Sequence, residues 1–230
     1  MPDQQQVWND LFKLIHVVKD YRTYVADILV SAFSQVPDKQ QAWNDLHRLT
    51  SEDDYDIRSY ATKVIGSVFS QVPDKQLAWN DLHKLTADED RDVRLRAADA
   101  LGSAFLYVPD KQQAWNDLHK FTADEDRGVR SRAACALGSA FLYVPDKQQV
   151  WNDLHKLTAD EDSGVRSRAA YALGSAFLHV PDKQQAWNDL IKLTTDEARD
   201  MRYRAAEAVL FVIGQNPSSV AKILAFFQNQ

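Results

Sequence analysis

Four histidines stand in register: His47, His83, His119 and His155 are spaced 36 residues apart. Imidazoles repeated in this way are the raw material of a metal site. Zinc needs several nitrogens or thiolates, each within about 2 Å of one ion. If each histidine belongs to its own helical repeat, neighbours lie about 8–10 Å apart, the packing distance of helices, and no two can share a metal. No His-Glu-x-x-His pair or glycine-rich phosphate loop accompanies them. The expectation is a solvated or helix-end role for these imidazoles, with no metal and no cofactor. Cys135 falls in the middle of an expected helix, away from the N-terminus that would lower its pKa, so it is not read as a catalytic thiolate. Acidic pairs such as Asp124 and Asp126 sit in turns, where helix capping accounts for them. No catalytic residue is assigned, and the chain reads as non-enzymatic.

The composition points the same way. With 33 Asp+Glu against 27 Lys+Arg the chain is mildly acidic, whereas nucleic-acid binding rests on neutralising many phosphates. No nucleic-acid partner is expected. The opening MPDQQQVWND has neither the basic nor the apolar stretch of a signal peptide. No run of about 18 apolar residues occurs, so no membrane span is expected. A single cysteine excludes an internal disulfide framework and fits a reducing compartment, so a cytoplasmic location is expected.

The elements that would carry these residues follow from an internal repeat. Trp43, Trp79, Trp115, Trp151 and Trp187 recur every 36 residues, each within AWNDL or VWNDL. Pro37, Pro73, Pro109, Pro145 and Pro181 keep the same step, and Trp8 opens a copy one residue shorter. Each unit reads as two helices. In residues 109–144, Pro109 suits an early helical position, and Asp110 with Gln113 resembles a capping box. Ala114, Trp115, Leu118 and Phe121 then line one face of a first helix. After TADED, Asp126 is the N-cap of a second helix whose stripe is Val129, Ala133, Ala136, Leu137, Ala140, Phe141 and Val144. One such pair has too little apolar surface to fold alone and must stack on its neighbours. The small residues Ala134 and Gly138 predict second helices packed closely side by side. The reading is an all-α chain of about 13 helices: a right-handed α-solenoid of six two-helix repeats, with residues 216–230 as a C-terminal capping helix. It is taken as a single domain over 1–230, with 1–36 an N-terminal capping repeat, 37–180 internal repeats and 181–230 the last repeat and cap.

DVRLRAADALGSA, GVRSRAACALGSA and GVRSRAAYALGSA resemble the second helix of HEAT-like repeats, particularly the phycobilisome-lyase type with its D-x-x-V-R-x-x-A-A-x-A-L-G signature. The resemblance covers essentially the whole chain and is strongest in repeats three to five. It implies that the turn Asp and the helix Arg hydrogen-bond between neighbouring repeats, here Asp90/Arg94, Asp126/Arg130 and Asp162/Arg166. Repeat six has Ala198 in place of the Asp but keeps Arg202, which puts the ladder in question there. The period is also longer than the roughly 30 residues usual for the lyase type.

The copies differ in an organised way. DEDRGVRSRAACALGSAF (124–141) returns as DEDSGVRSRAAYALGSAF (160–177), with Arg127 becoming Ser163 and Cys135 becoming Tyr171. At about 100° per residue, positions Ser131, Cys135 and Leu142 fall opposite the apolar stripe, and these positions change from copy to copy. One set is Thr23, Ser59, Leu95, Ser131, Ser167 and Tyr203; a second is Asp27, Lys63, Asp99, Cys135, Tyr171 and Glu207. A third is Ser34, Ser70, Leu106, Leu142 and Leu178, with Tyr107, Tyr143 and His179 beside its later members. The helix start adds Tyr55, Arg91, Arg127, Ser163 and Arg199. On the first helix, Lys39, Lys75, Lys111, Lys147 and Lys183 and the Asn-Asp pair after each Trp do not vary. Drift would touch both faces, so change confined to one stripe reads as a recognition surface. Its Tyr and Leu residues suit a contact patch, and Arg96, Arg132, Arg168 and Arg204 are expected to flank it.

The function expected from sequence is a scaffold binding a protein or peptide through the second helices. The alternatives are self-association through the same patch, a designed repeat array without a natural ligand, and, by resemblance only, a bilin lyase.

Overall fold

The computed structural model describes residues 3–215, and among these it contains twelve α-helices, two 3-10 turns and no strand. The first helices of the repeats are α1 (Gln4–Val17), α3 (Lys39–Leu49), α5 (Lys75–Leu85), α7 (Lys111–Phe121), α9 (Lys147–Leu157) and α11 (Lys183–Leu193). The second helices are α2 (Arg22–Phe33), α4 (Tyr55–Val68), α6 (Arg91–Ala104), α8 (Arg127–Ala140), α10 (Ser163–Ala176) and α12 (Arg199–Gln215). The fold is an all-α solenoid of about six helical pairs. The expected capping helix at 216–230 lies outside the described residues. The chain divides into two compact units, Met1–Phe121 and Thr122–Gln230, the division falling between the two helices of one repeat.

Asp110 is the N-cap of α7, its Oδ1 accepting the Gln113 N–H at 2.9 Å. Asp38, Asp74, Asp146 and Asp182 cap α3, α5, α9 and α11 in the same way. Each proline therefore stands one residue before the cap rather than inside the helix, because the carboxylate must occupy the position from which it reaches the third backbone N–H. Asp54, Asp90, Asp126 and Asp162 cap α4, α6, α8 and α10. In the last pair Ala198 offers no carboxylate.

The helical pairs bury their expected stripes, except that Trp115 is half-buried. Trp8 and Trp43 are fully buried, as are Val129, Ala133, Leu137 and Ala140. In the first unit α4 packs between α2 and α6; in the second α10 packs between α8 and α12. The approach is close because it is made by glycine and alanine. A Cβ on Gly66 would lie 2.5 Å from the Ala100 Cβ, and one on Gly138 would lie 2.7 Å from the Ala172 Cβ. Such separations are not accommodated without moving a helix.

Three polar seams fix the stacking of one pair on the next. The first joins turns. Arg58 grips Asp88 with Nε and Nη2 at 2.8 and 2.9 Å. Arg130 takes Asp160 at 2.8 and 3.0 Å, and Arg166 takes Asp196 at 2.8 Å twice. The remaining Nη1 of each arginine donates to two carbonyls of its own turn, such as Asp160 and Glu161 for Arg166. The ladder thus exists, but its carboxylate is the first acid of each turn, two residues before the one expected; Asp90, Asp126 and Asp162 are occupied as caps. Repeat six keeps the ladder acid as Asp196, so Ala198 deprives the last pair of a cap and leaves the rung intact. The exception is Arg22, buried at 2% exposure, whose Nη2 reaches Asp54 at 2.9 Å. In that turn Glu52 stands where later repeats carry the ladder aspartate.

The second seam uses the histidines. His47, His83 and His155 meet Asp81, Asp117 and Asp189 of the following repeat at 2.6, 2.6 and 2.5 Å through Nδ1. A carboxylate only accepts, so Nδ1 carries the proton. These imidazoles are partly exposed, as expected, but they are inter-repeat links rather than solvated ends. Trp79 and Trp151 stack on His83 and His155 with ring centroids 5.5 Å apart. In the first repeat Phe12 replaces the histidine, and Asp45 instead accepts the Trp8 indole N–H at 3.1 Å.

The third seam explains the constant lysines. Lys39 Nζ donates to the carbonyls of Phe33 and Ser34 at 2.6 and 3.1 Å, closing the C-terminus of α2. Lys75 and Lys111 bind the matching carbonyls of Ser70 and Leu106. A cation here satisfies orphan carbonyls and the negative end of the helix dipole.

Candidate binding surface on the second helices

The seventeen residues expected to form the surface divide between the two compact units. Arg91, Leu95, Asp99, Leu106 and Tyr107 belong to the first. Arg127, Ser131, Cys135, Leu142, Tyr143, Ser163, Ser167, Tyr171, Leu178, His179, Tyr203 and Glu207 belong to the second. None of the seventeen is buried. They do not, however, form one stripe.

Leu142 and Tyr143 lie beyond the end of α8 at Ala140, and Leu178 and His179 beyond the end of α10 at Ala176. Leu106 and Tyr107 likewise follow α6. All six are exposed, on the turns after the second helices rather than on the helix faces. A helix continued at a constant angular step overshoots its real end here: Phe141 and Phe177 close these helices, and the chain goes on as a turn in which the Tyr143 and His179 N–H groups donate to the Ala140 and Ala176 carbonyls.

On the helices themselves, the Ser131 and Ser167 position turns toward the following helix. Its equivalents show why. Thr23 Oγ1 meets the Tyr60 hydroxyl at 2.9 Å, and Ser59, only 6% exposed, directs Oγ to the Asp92 carbonyl at 3.4 Å. Leu95, Ser131 and Ser167 are accordingly half-buried. Arg168, Tyr171 and Ser175 are the exposed side chains of α10. Of the arginines expected to flank the surface, Arg168 thus stands among the outermost side chains and Arg204 is exposed, while Arg96 and Arg132 are half-buried.

The second unit shapes this face most strongly. Between α10 and α12 runs a groove of about 470 Å³ lined by Ser163, Gly164, Ser167, Arg199, Asp200, Met201, Tyr203 and Arg204. A neighbouring hollow of about 310 Å³ is lined by Tyr171, Gly174, Ser175, Arg204, Glu207, Ala208 and Phe211. Arg204 belongs to both and pairs with Glu207 at 2.9 Å. Tyr171 and Tyr203 are 64% and 65% exposed. Gly174 brings α10 near α12 at Ala208. Arg127 bridges to Asp162 at 2.9 Å at the helix starts.

In the first unit cations of the second helices are paired with nearby carboxylates. Lys63 meets Asp27 at 2.5 Å, and Arg96 faces Asp99 at 3.9 Å.

The constancy of the first-helix face has a cause of its own. Lys39, Lys75 and Lys111 cap the preceding helix and Asp81, Asp117 and Asp189 are buried partners of histidine, so these residues were never free to drift. Gln40 and Asn44, an exposed pair linked at 3.1 Å, are held among the described residues only by each other. Among the described residues no cluster of three or more His, Cys, Asp or Glu side chains is placed to hold a metal. No described helix is long and apolar enough to cross a membrane.

A family model described as HEAT repeats matches residues 79–174 and, in overlapping register, 115–210. Together these span more than half of the chain. No curated protein of matching sequence was found. Among solved structures, an engineered protein is similar over 93% of this chain and 98% of its own, at 22% identity and TM-score 0.61. A designed armadillo repeat protein in complex with the peptide (KR)4 is similar over 92% of this chain and 95% of its own, at 18% identity and TM-score 0.59. A chain of the Pds5-Scc1 complex is similar over 91% of this chain and 39% of its own, at 12% identity and TM-score 0.59. At such identities the likeness concerns the fold. Paired helices, turn-to-helix Arg–Asp rungs and the matched family model lead to one conclusion: the chain belongs to the HEAT-repeat family.

Proposed function

We propose that the chain is a non-enzymatic scaffold that binds a protein or peptide on the outer face of its second helices. The observation that carries this reading is the pair of exposed tyrosines, Tyr171 and Tyr203, beside the groove between α10 and α12. A tyrosine held on a rigid helix offers broad contact area at small entropic cost. Exposed aromatic residues beside arginines are the composition of binding hot spots. The designed armadillo repeat protein of similar fold carries a peptide, and the Pds5-Scc1 chain belongs to a protein complex. Both support a solenoid of this kind as a binding scaffold.

The test is selection of binders from a displayed peptide library, followed by mapping. Binders should lose at least about tenfold in affinity against Tyr171→Ser/Tyr203→Ser, since truncated hot-spot residues cost more than about 1 kcal/mol. They should be indifferent to Gln148→Ala/Asn152→Ala on the first-helix face. Binders with the opposite sensitivity would place recognition on the first helices and overturn the reading.

A further inference from the structure

The chemistry of the second unit's outer face narrows the partner, given the binding role proposed above. On α8, α10 and α12 every cationic side chain is arginine, whereas α9 and α11 carry only lysine. Arg130, Arg166 and Arg202 are consumed by the turns. Arg168 and Arg199 are exposed and make no hydrogen bond or ion pair among the described residues. Arg199 lines the groove one turn before Tyr203, and Arg168 stands exposed on α10 one turn before Tyr171, which lines the neighbouring hollow. Glu207 is already taken by Arg204, which leaves Asp200 as the opposing charge that lines the groove. The chain as a whole carries a net charge of −6, so a surplus of unpaired guanidinium on this face runs against the overall sign. The first unit shows the alternative, since its Lys63 and Arg96 are met by Asp27 and Asp99.

Guanidinium is the cation suited to this setting. Its planar fork matches a carboxylate in two hydrogen bonds, it stacks on aromatic rings, and it gives up hydration more readily than an ammonium. We infer that this face takes an acidic peptide with apolar side chains between its carboxylates. Carboxylates meet Arg168 and Arg199, and the intervening apolar groups lie against Tyr171 and the hollow beside Phe211. A nucleic acid fits less well. Its charge is continuous, and Asp200 and Glu207 would face phosphate, whereas a peptide can place an apolar residue there.

The experiment measures fluorescence anisotropy of three labelled probes with the full chain. These are an alternating Glu-Leu octapeptide, its Lys-Leu counterpart, and single-stranded oligothymidine. The Glu-Leu peptide should bind at least about tenfold tighter than the other two, the equivalent of about 1.4 kcal/mol. Arg168→Glu/Arg199→Glu should reverse the order of the two peptides without changing the melting temperature, because neither arginine holds the fold. Reversal is a gain of binding, so a merely damaged variant cannot mimic it. Preference of the unaltered chain for the Lys-Leu peptide, lost in Tyr171→Ser/Tyr203→Ser, would overturn the acidic assignment and leave the binding face standing. Tighter binding of oligothymidine would overturn it in favour of a nucleic-acid surface. Absence of binding to every probe, together with a library that yields no binders, would overturn both this inference and the proposed function.

Discussion

Arg166 and Arg168 are two residues apart on one helix and live in different regions of the molecule. Arg166 is nearly buried, clamps Asp196 of the next repeat with two hydrogen bonds, and fills the turn of its own repeat with a third nitrogen. Arg168 stands in solvent with no partner among the described residues. The first belongs to the seam that stacks the repeats, the second to the face that the stacking leaves open. The seam repeats its chemistry from pair to pair because every rung must fit its neighbour. The face is free of that demand, and there the copies diverge. What differs between copies is therefore informative only after the seam has been subtracted.

Seam and face part most completely in acid. Hydrogen bonds from Arg166, acting against burial, hold Asp196 below the ordinary carboxylate range. Burial pulls Asp88 upward, but Arg58 and the Asp90 N–H outweigh it and leave Asp88 lowered as well. A carboxyl lowered in the folded state gives stability that is present above its unfolded pKa, near 4, and is lost as pH falls toward the folded value. Asp81 acts in the opposite sense and in a different window: burial raises it despite His47, so it penalises the fold above its unfolded pKa, near 4, and that penalty is already gone at the lower pH where the rungs are lost. The rungs outnumber it. Unfolding followed by circular dichroism should show the denaturation midpoint collapsing below about pH 4, and a midpoint flat to about pH 3 would mean that the rungs do not hold the stack.

Gly138→Val tests the apolar part of the seam. A Cβ there meets Ala172 at 2.7 Å, and the variant should lose about 3 kcal/mol in a denaturant titration. Gly174→Ala, whose Cβ would sit 3.1 Å from Ala208, should lose distinctly less. His83→Ala strips the buried Asp117 Oδ2 of its donor while Gln113 Nε2 still donates to Oδ1, and should cost about 1–2 kcal/mol. Ile191→His sharpens the same point, since the sequence provides no aspartate 34 residues further on; it should add nothing measurable. Tyr171→Ser is expected to have the smallest effect on stability, within about 0.5 kcal/mol, as for other exposed positions, while weakening a bound partner.

Much of this is legible in the sequence because it is local. Tryptophan spacing, cap aspartates and Gly138 specify helical pairs and their close approach without knowledge of the neighbour, although the alanine that Gly138 meets is Ala172, at the position of Ala136 rather than Ala134. The rungs are only half legible. Nothing in ADED says which carboxylate caps its own helix and which receives the previous repeat's arginine; the answer depends on the path of the turn. The histidines mislead for a related reason, since their partner lies 34 residues downstream. A signal exists all the same. Histidine occurs at 47, 83, 119 and 155, each followed 34 residues later by aspartate, and is replaced by Ile191 where none follows. On the outer face Tyr171 is legible, but Arg168 reads as an edge residue. Extending the helix past Ala140 pulls its outward direction toward Leu142 and away from the arginines.

The measurement closest to the central claim is a side-by-side denaturant titration of Arg166→Ala and Arg168→Ala. Arg166→Ala is expected to lose about 2–3 kcal/mol, the cost of stripping a nearly buried carboxylate of its charged partner. Arg168→Ala should unfold within about 0.5 kcal/mol of the unaltered chain. Equal losses for the two variants would contradict the division into seam and face, and with it the reading of the outer face as surface held open for a partner.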